Sequence, residues 1–136
     1  MAPGFGEWSE RLSVGIEAVD AEHRLQISLV KALEDALAKG GAGAGAILQQ
    51  LLDFTNAHFV AEELLMRLHA YPGYEGHVLE HGRLLDQLDR VRSHCVEGKH
   101  AATWELVSGV RHWLVEHMQT MDAAFAAYAA NEGAAP

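Results

Sequence analysis

The sequence holds one cysteine, Cys95, in 136 residues, so no disulfide can form within the chain. Stability must come from packing or from bound groups, and a reducing, cytoplasmic compartment is expected. No apolar run approaches the roughly 18 residues that a membrane-spanning helix requires, so no membrane partner is expected. The opening residues MAPGFGEW lack a basic segment followed by an apolar stretch, so no secretory leader is expected. Positive charge is also scarce: 10 Lys and Arg stand against 19 Asp and Glu, for a formal charge of −9. An acidic surface repels phosphate backbones, which argues against nucleic acid as a partner. With no internal repeat and no sign of a second unit, residues 1–136 read as a single domain.

What the chain does have is histidine, nine in all and in no low-complexity tract. Hydrophobic residues make up 49%, and a chain of this length can bury a single core. Residues 1–17 read as an irregular arm, broken by Pro3, Gly4, Gly6 and Gly15, with Trp8 packing it onto the domain. Asp20 is the expected N-cap of a first helix to about Lys39. The glycine-rich stretch Gly40 to Gly45 then interrupts it. A second helix is expected from about Ala46 to His69, a turn at Pro72-Gly73, a third helix from Tyr74 to Glu97, and a fourth from Ala101 to Ala130. Residues 131–136 are expected to fray.

Apolar spacing favours helices over strands. The stripes run Val19, His23, Ile27, Val30, Leu33, Leu37; then Leu48, Leu51, Thr55, His58, Glu62, Leu65; then His77, His81, Leu84, Leu88, Val91, Cys95. The fourth runs Val107, Val110, Leu114, His117, Met121, Ala124, Tyr128. Four such helices with short connections imply an all-α, antiparallel up-down four-helix bundle.

These inward stripes carry metal-binding residue types. Side chains four apart share a helix face, so His58 with Glu62, and His77 with His81, can each aim two donors at one point. Asp122 follows His117 by five residues, which turns it roughly 140° away on an α-helix. It is expected at the stripe's edge, reaching sideways as a bridging carboxylate. No single motif is specific, since nine histidines give roughly 0.6 His-x-x-x-His pairs by chance in a chain of this length. Collectively the donors are harder to dismiss. Five buried imidazoles and two carboxylates without partners would cost about 1–3 kcal/mol each, and metal coordination removes that cost. Seven donors are too many for one tetrahedral zinc. Two octahedral ions, with both carboxylates and an oxide or hydroxide as bridges, would be filled but for one position. That suits one small molecule better than a large substrate.

In order and spacing these residues resemble the hemerythrins, specifically the single-domain bacteriohemerythrins, over about residues 7–130. The resemblance is carried by Trp8, Val14-Gly15 leading to Asp20-x-x-His23, His58-Phe59-Val60-Ala61-Glu62, His77-Val78-Leu79-Glu80-His81, and Trp113-Leu114-Val115-Glu116-His117 followed by Asp122. Myohemerythrin is itself a standard example of the up-down bundle. The resemblance implies two iron ions with an oxo or hydroxo bridge. His77, His81 and His117 would hold the saturated iron, His23 and His58 the iron with the open position, and Glu62 and Asp122 would bridge. Dioxygen is the implied ligand, bound reversibly, for storage or for delivery to an oxygen-consuming enzyme. The implied protein is a monomer and not an enzyme. Two departures touch no ligand: Lys31 where an asparagine is frequent, and Glu22 where a glutamine is frequent.

The remaining histidines, His69, His94, His100 and His112, read as surface residues, and Cys95 as a small core residue. Trp113, Phe59, Phe125 and Tyr128 read as core packing, with Trp113 or Phe59 as candidates to line an oxygen pocket. Met66 and Met121 read as gap fillers, and Glu63 as solvated. His77 to His81 also spells the H-x-x-E-H of inverted zinc peptidases, with Glu80 as base. That alternative leaves His23, His58, Glu62, His117 and Asp122 without a role. Oxygen or redox sensing through a partner protein, and a di-iron oxidase or peroxidase, are the competing functions. Iron storage fits poorly with one closed site.

Overall fold

The first stripe folds as α1, Glu17–Ala38, in a computed structural model that describes residues 8–134. The helix starts three residues before the expected cap, and its N-cap, Ile16, makes no side-chain capping bond. Asp20 sits one turn inside and is buried. Helical side chains lean toward the N-terminus, so its carboxylate reaches back to the arm instead. It accepts hydrogen bonds from the Ser13 hydroxyl and, at 2.9 Å, from the Val14 N–H. Ahead of α1 lies a short 3₁₀ turn, Glu10–Leu12, whose Leu12 joins the core. Trp8 packs against that core as expected, with the Arg24 guanidinium 4.9 Å above its ring. The expected arm residues 1–7 lie outside the described residues.

α2 spans Ala44–Leu68 and α3 spans Tyr74–Val96. Between α1 and α2 the chain turns through Gly40, Gly41 and Gly43, at φ of 100°, 86° and 78°, a region that side chains with a Cβ enter only at a cost. α4, His100–His117, continues without a break through a π-helical turn, Met118–Asp122, into α5, Ala123–Ala134. The fourth helix therefore outlasts its expected end at Ala130. Residues 135–136 of the expected frayed tail lie outside the described residues.

Each helix packs on two neighbours: α1 on α2 and α4, and α3 on α2 and α4. This is the expected antiparallel up-down bundle. Its register does the positioning. The donors lie early in α1 and α3 and late in α2 and the fourth helix, so alternating direction brings them to one end. The apolar core, including Val30, Leu33, Leu51, Leu84, Leu88, Val91, Val110 and Leu114, fills the remainder. Among the described residues no helix is long and apolar enough to cross a membrane.

Candidate metal centre

All seven expected donors are buried, none more than 6% exposed, and the bundle brings them together. His77 Nε2 lies 2.8 Å from Glu62 Oε1, 3.0 Å from Asp122 Oδ1 and 3.1 Å from His117 Nε2. His81 Nε2 is 3.1 Å from the same Glu62 oxygen, and His117 Nε2 is 3.0 Å from the same Asp122 oxygen. The other oxygen of each carboxylate faces away from this trio. Asp122 Oδ2 lies 3.1 Å from His23 Nε2, and Glu62 Oε2 lies 3.9 Å from His58 Nε2. The histidines thus form two groups, His77/His81/His117 and His23/His58, and each carboxylate spans both.

The π-helical turn explains how Asp122 joins. In that turn the Ala123 N–H reaches back five residues to the Met118 carbonyl. One extra residue in the turn places i+5 about where i+4 stands in an α-helix. Asp122 therefore shares a face with His117 and does not have to reach sideways. The register beyond it shifts by one. Asp122, Phe125 and Ala126 are buried, whereas Met121 is only half-buried and Ala124 is exposed. Extending the α-helical stripe across the turn had placed Met121 and Ala124 inward.

The donor set fits metal ions. His23 Nε2, Glu62 Oε1 and His81 Nε2 are buried without a hydrogen bond in usable geometry, although oxygens or nitrogens stand near 3 Å from them. Neighbouring ligand atoms of an octahedral ion with bonds of about 2.1 Å are about 3.0 Å apart. Atoms so spaced, and aimed past one another, suit a shared ion between them better than direct bonding. Glu62, His77, His81, His117 and Asp122 each offer an atom within 4.8 Å of the others, as do His23, His58 and Glu62.

In the metal-free protein these groups hold one another's charge. Burial pushes the Asp122 carboxyl up, but His117, His23 and His77 pull it well below the usual carboxylate range. Burial likewise pushes Glu62 up, and His77 and His81 outweigh it, leaving that carboxyl lowered. Burial pushes the His77 imidazole down, yet Asp122 and Glu62 raise it to about 9.

Two further carboxylates hold the histidines from outside. His58 Nδ1 is 3.2 Å from Glu22 Oε1, and His81 Nδ1 is 2.8 Å from Glu63 Oε2. An Nδ1–H donated to a carboxylate leaves Nε2 as the free, metal-facing nitrogen. Glu63 is thus bonded at the centre's edge and not simply solvated. Helix periodicity shows that Glu63 points away from Glu62, but not that α3 stands there. Aromatic rings brace the same layer: Phe59 stacks on His81 at 3.7 Å and Trp113 on His117 at 4.5 Å.

A cavity of about 130 Å³ reaches His58, Glu62 and Asp122, and neither His77, His81 nor His117 lines it. Its other walls are mostly apolar and come from the arm, α1, α2 and α5, including Val14, Val19, Leu65, Phe125 and Ala129. Phe125 therefore lines it, whereas Phe59 and Trp113, the expected candidates, do not. Half-buried His69 also contributes to the wall, beyond its expected place on the surface. A more open depression of about 190 Å³ reaches His117 from the outer face past Trp113 and Glu116.

The model of the hemerythrin HHE cation-binding domain matches residues 14–129. The bacteriohemerythrin of Ralstonia nicotianae is 29% identical over 93% of this chain and 90% of its own length. That of Stenotrophomonas maltophilia is 28% identical over 88% of this chain and 78% of its own. The myohemerythrin of Theromyzon tessulatum is 26% identical over 85% of this chain and 87% of its own. A solved structure of a leucine-to-phenylalanine mutant shares the fold, with a TM-score of 0.78 over 93% of this chain and 96% of that one, at 24% identity.

Proposed function

This chain belongs to the hemerythrin family of cation-binding domains, and we propose that it binds dioxygen reversibly at a di-iron centre, as one domain, for storage or for delivery to an oxygen-consuming enzyme. One observation carries this furthest. Glu62 and Asp122 each turn one oxygen to His77 and its neighbours and the other to His23 or His58, and the cavity adjoins the two-histidine side. His77, His81 and His117 would hold one iron, His23 and His58 the other, and the two carboxylates would bridge.

Two iron ions would supply electrons that can be lent to a small gas molecule and recovered. The chain's own part is different. The carboxylates fix the spacing of the histidine groups. Glu22 and Glu63 fix the orientation of His58 and His81. Phe59 and Trp113 stack on two of the rings, and mostly apolar side chains line the cavity beside the centre. The unequal histidine groups leave room for a small ligand on the cavity side, and the cavity is too small for a bulky substrate. Reversible binding fits this better than turnover.

The test is the visible spectrum of iron-loaded, anaerobically reduced protein before oxygen, after it, and after its removal. Reversible binding gives a visible band that comes and goes over many cycles, with two irons per chain. A band that never forms, or a first exposure that ends in permanent oxidation, sinks the proposal.

A further inference from the structure

Within the cavity wall, one polar group stands apart from the bridging carboxylates and the histidines. Glu22, on α1, is half-exposed at 42% of its side chain, and its Oε1 sits 3.2 Å from His58 Nδ1. It is therefore fixed by that contact on the side of the centre that the cavity reaches. The comparable carboxylate on the other side, Glu63, holds His81 Nδ1 at 2.8 Å but lines no part of the cavity. The two acids make the same kind of bond to a histidine and differ in what they face.

A fixed negative charge on the wall of a small, mostly apolar cavity acts on whatever enters. Charges beside a low-dielectric wall interact over several ångströms, and solvent reaching a half-exposed carboxylate weakens that interaction without removing it. An entering anion is repelled, whereas a neutral diatomic molecule is nearly indifferent. We propose that Glu22 sets the ligand selectivity of the cavity, disfavouring small anions relative to neutral gases of similar size. This rests on the di-iron reading above for its ligand-binding centre, but not on that centre's reversibility toward oxygen. Glu22 is not itself one of the seven expected metal donors. It acts through the field it places on the wall and through its hold on His58.

Glu22→Gln separates those two actions, because the amide oxygen still accepts from the His58 Nδ1–H while the charge is gone. The probes are azide, an anion, and nitric oxide, a neutral diatomic, each titrated anaerobically into reduced, iron-loaded protein. Azide affinity is expected to rise on the order of tenfold in Glu22→Gln, with the half-exposure of Glu22 holding the gain near that figure. Nitric oxide affinity is expected to change less than about twofold, since a neutral probe feels little of the field. Glu63→Gln removes the same unit of charge from the other side, so it is expected to leave azide affinity nearly unchanged. Nitrogen chemical shifts of the zinc-loaded protein are expected to show His58 Nδ1 still protonated in Glu22→Gln, so the variant keeps its bond.

If Glu22→Gln loses metal, Ile16→Lys carries the test. Ile16 is 39% exposed on the same wall, and a cation there is expected to tighten azide with the Glu22–His58 contact intact. Unchanged azide affinity in Glu22→Gln, or an equal rise in Glu63→Gln, overturns the proposal. So does an unchanged Ile16→Lys. Failure of the oxygen cycle with a Glu22-dependent azide response would overturn reversible oxygen binding and leave this inference standing.

Discussion

At the scale of single residues, the centre is a set of acids and imidazoles that stabilise each other until metal displaces their protons. His77 rises to about 9 in the metal-free protein, from an ordinary 6.5. A group raised on folding adds stability below its unfolded value, and that contribution is lost as pH rises through the folded one. Glu62 and Asp122 are lowered, so their contribution is present above the ordinary carboxylate range and lost as pH falls below it. Metal-free protein is therefore expected to be most resistant to urea near pH 6 and weaker at pH 10. A midpoint that climbs steadily from pH 6 to pH 10 would contradict the His77 arrangement. The same proton must leave when metal arrives, because only the neutral imidazole coordinates. Metal uptake at pH 7 is thus expected to release protons, seen as a heat that varies with the ionisation enthalpy of the buffer. Replacing a donor tests the ligand set itself. His58→Ala or His77→Ala is expected to bring iron below two per chain while helical circular dichroism stays unchanged. Two irons retained in both variants would remove these residues from the centre.

At the scale of the element, the π-helical turn Met118–Asp122 decides which residues of the fourth helix look inward. Deleting exposed Thr120 should convert it to an ordinary α-helical turn. Asp122 then follows His117 by four residues and still shares its face, and Phe125 and Ala126 keep their inward register. The deletion is expected to retain two metal ions. Deleting exposed Ala124 instead leaves the turn intact and rotates Phe125, Ala126 and Tyr128 by about 100°. That variant should lose stability by several kcal/mol, on the scale of losing a large buried side chain, and should open the cavity. Comparable losses from both deletions, measured by urea midpoint and metal stoichiometry, would show that the turn has no part in setting register. This element also marks where the sequence stops being legible. The spacing of His58 with Glu62 and of His77 with His81 reads directly, because those pairs lie on regular helix. The five-residue gap from His117 to Asp122 does not, since nothing local in Met118-Gln119-Thr120-Met121 announces a π turn. Asp20 misled for a related reason: an acid near a helix start can cap the first turn or reach back to the arm, and only the packed arm decides.

At the scale of the whole molecule, alternating helix direction turns donors far apart in the chain into one layer. That much was readable, because stripes bearing His23, His58/Glu62, His77/His81 and His117 fall at alternating ends of successive helices. The contacts of Glu22 and Glu63 were not, since they depend on which neighbour stands across each helix boundary. The architecture divides into an apolar part, packed around Leu33, Leu51, Leu88 and Val110, and a polar layer in which His23 Nε2, Glu62 Oε1 and His81 Nε2 lack conventional partners. Only the second part should feel the metal. A ligand that binds the folded state alone adds about 4 kcal/mol at a thousandfold excess over its dissociation constant. In a chain of this size each kcal/mol moves the thermal midpoint by about 3 °C, so stripping metal from a loaded sample should lower it by about 12 °C per tightly held ion. The apolar half should persist meanwhile. Hydrogen exchange after chelation is expected to accelerate at His23, His58, His81 and His117 and their helical neighbours, while Val30, Leu51, Leu88 and Val110 stay protected. Uniform acceleration along all four helices would mean that metal holds the whole bundle together, and that the apolar part cannot sustain it alone.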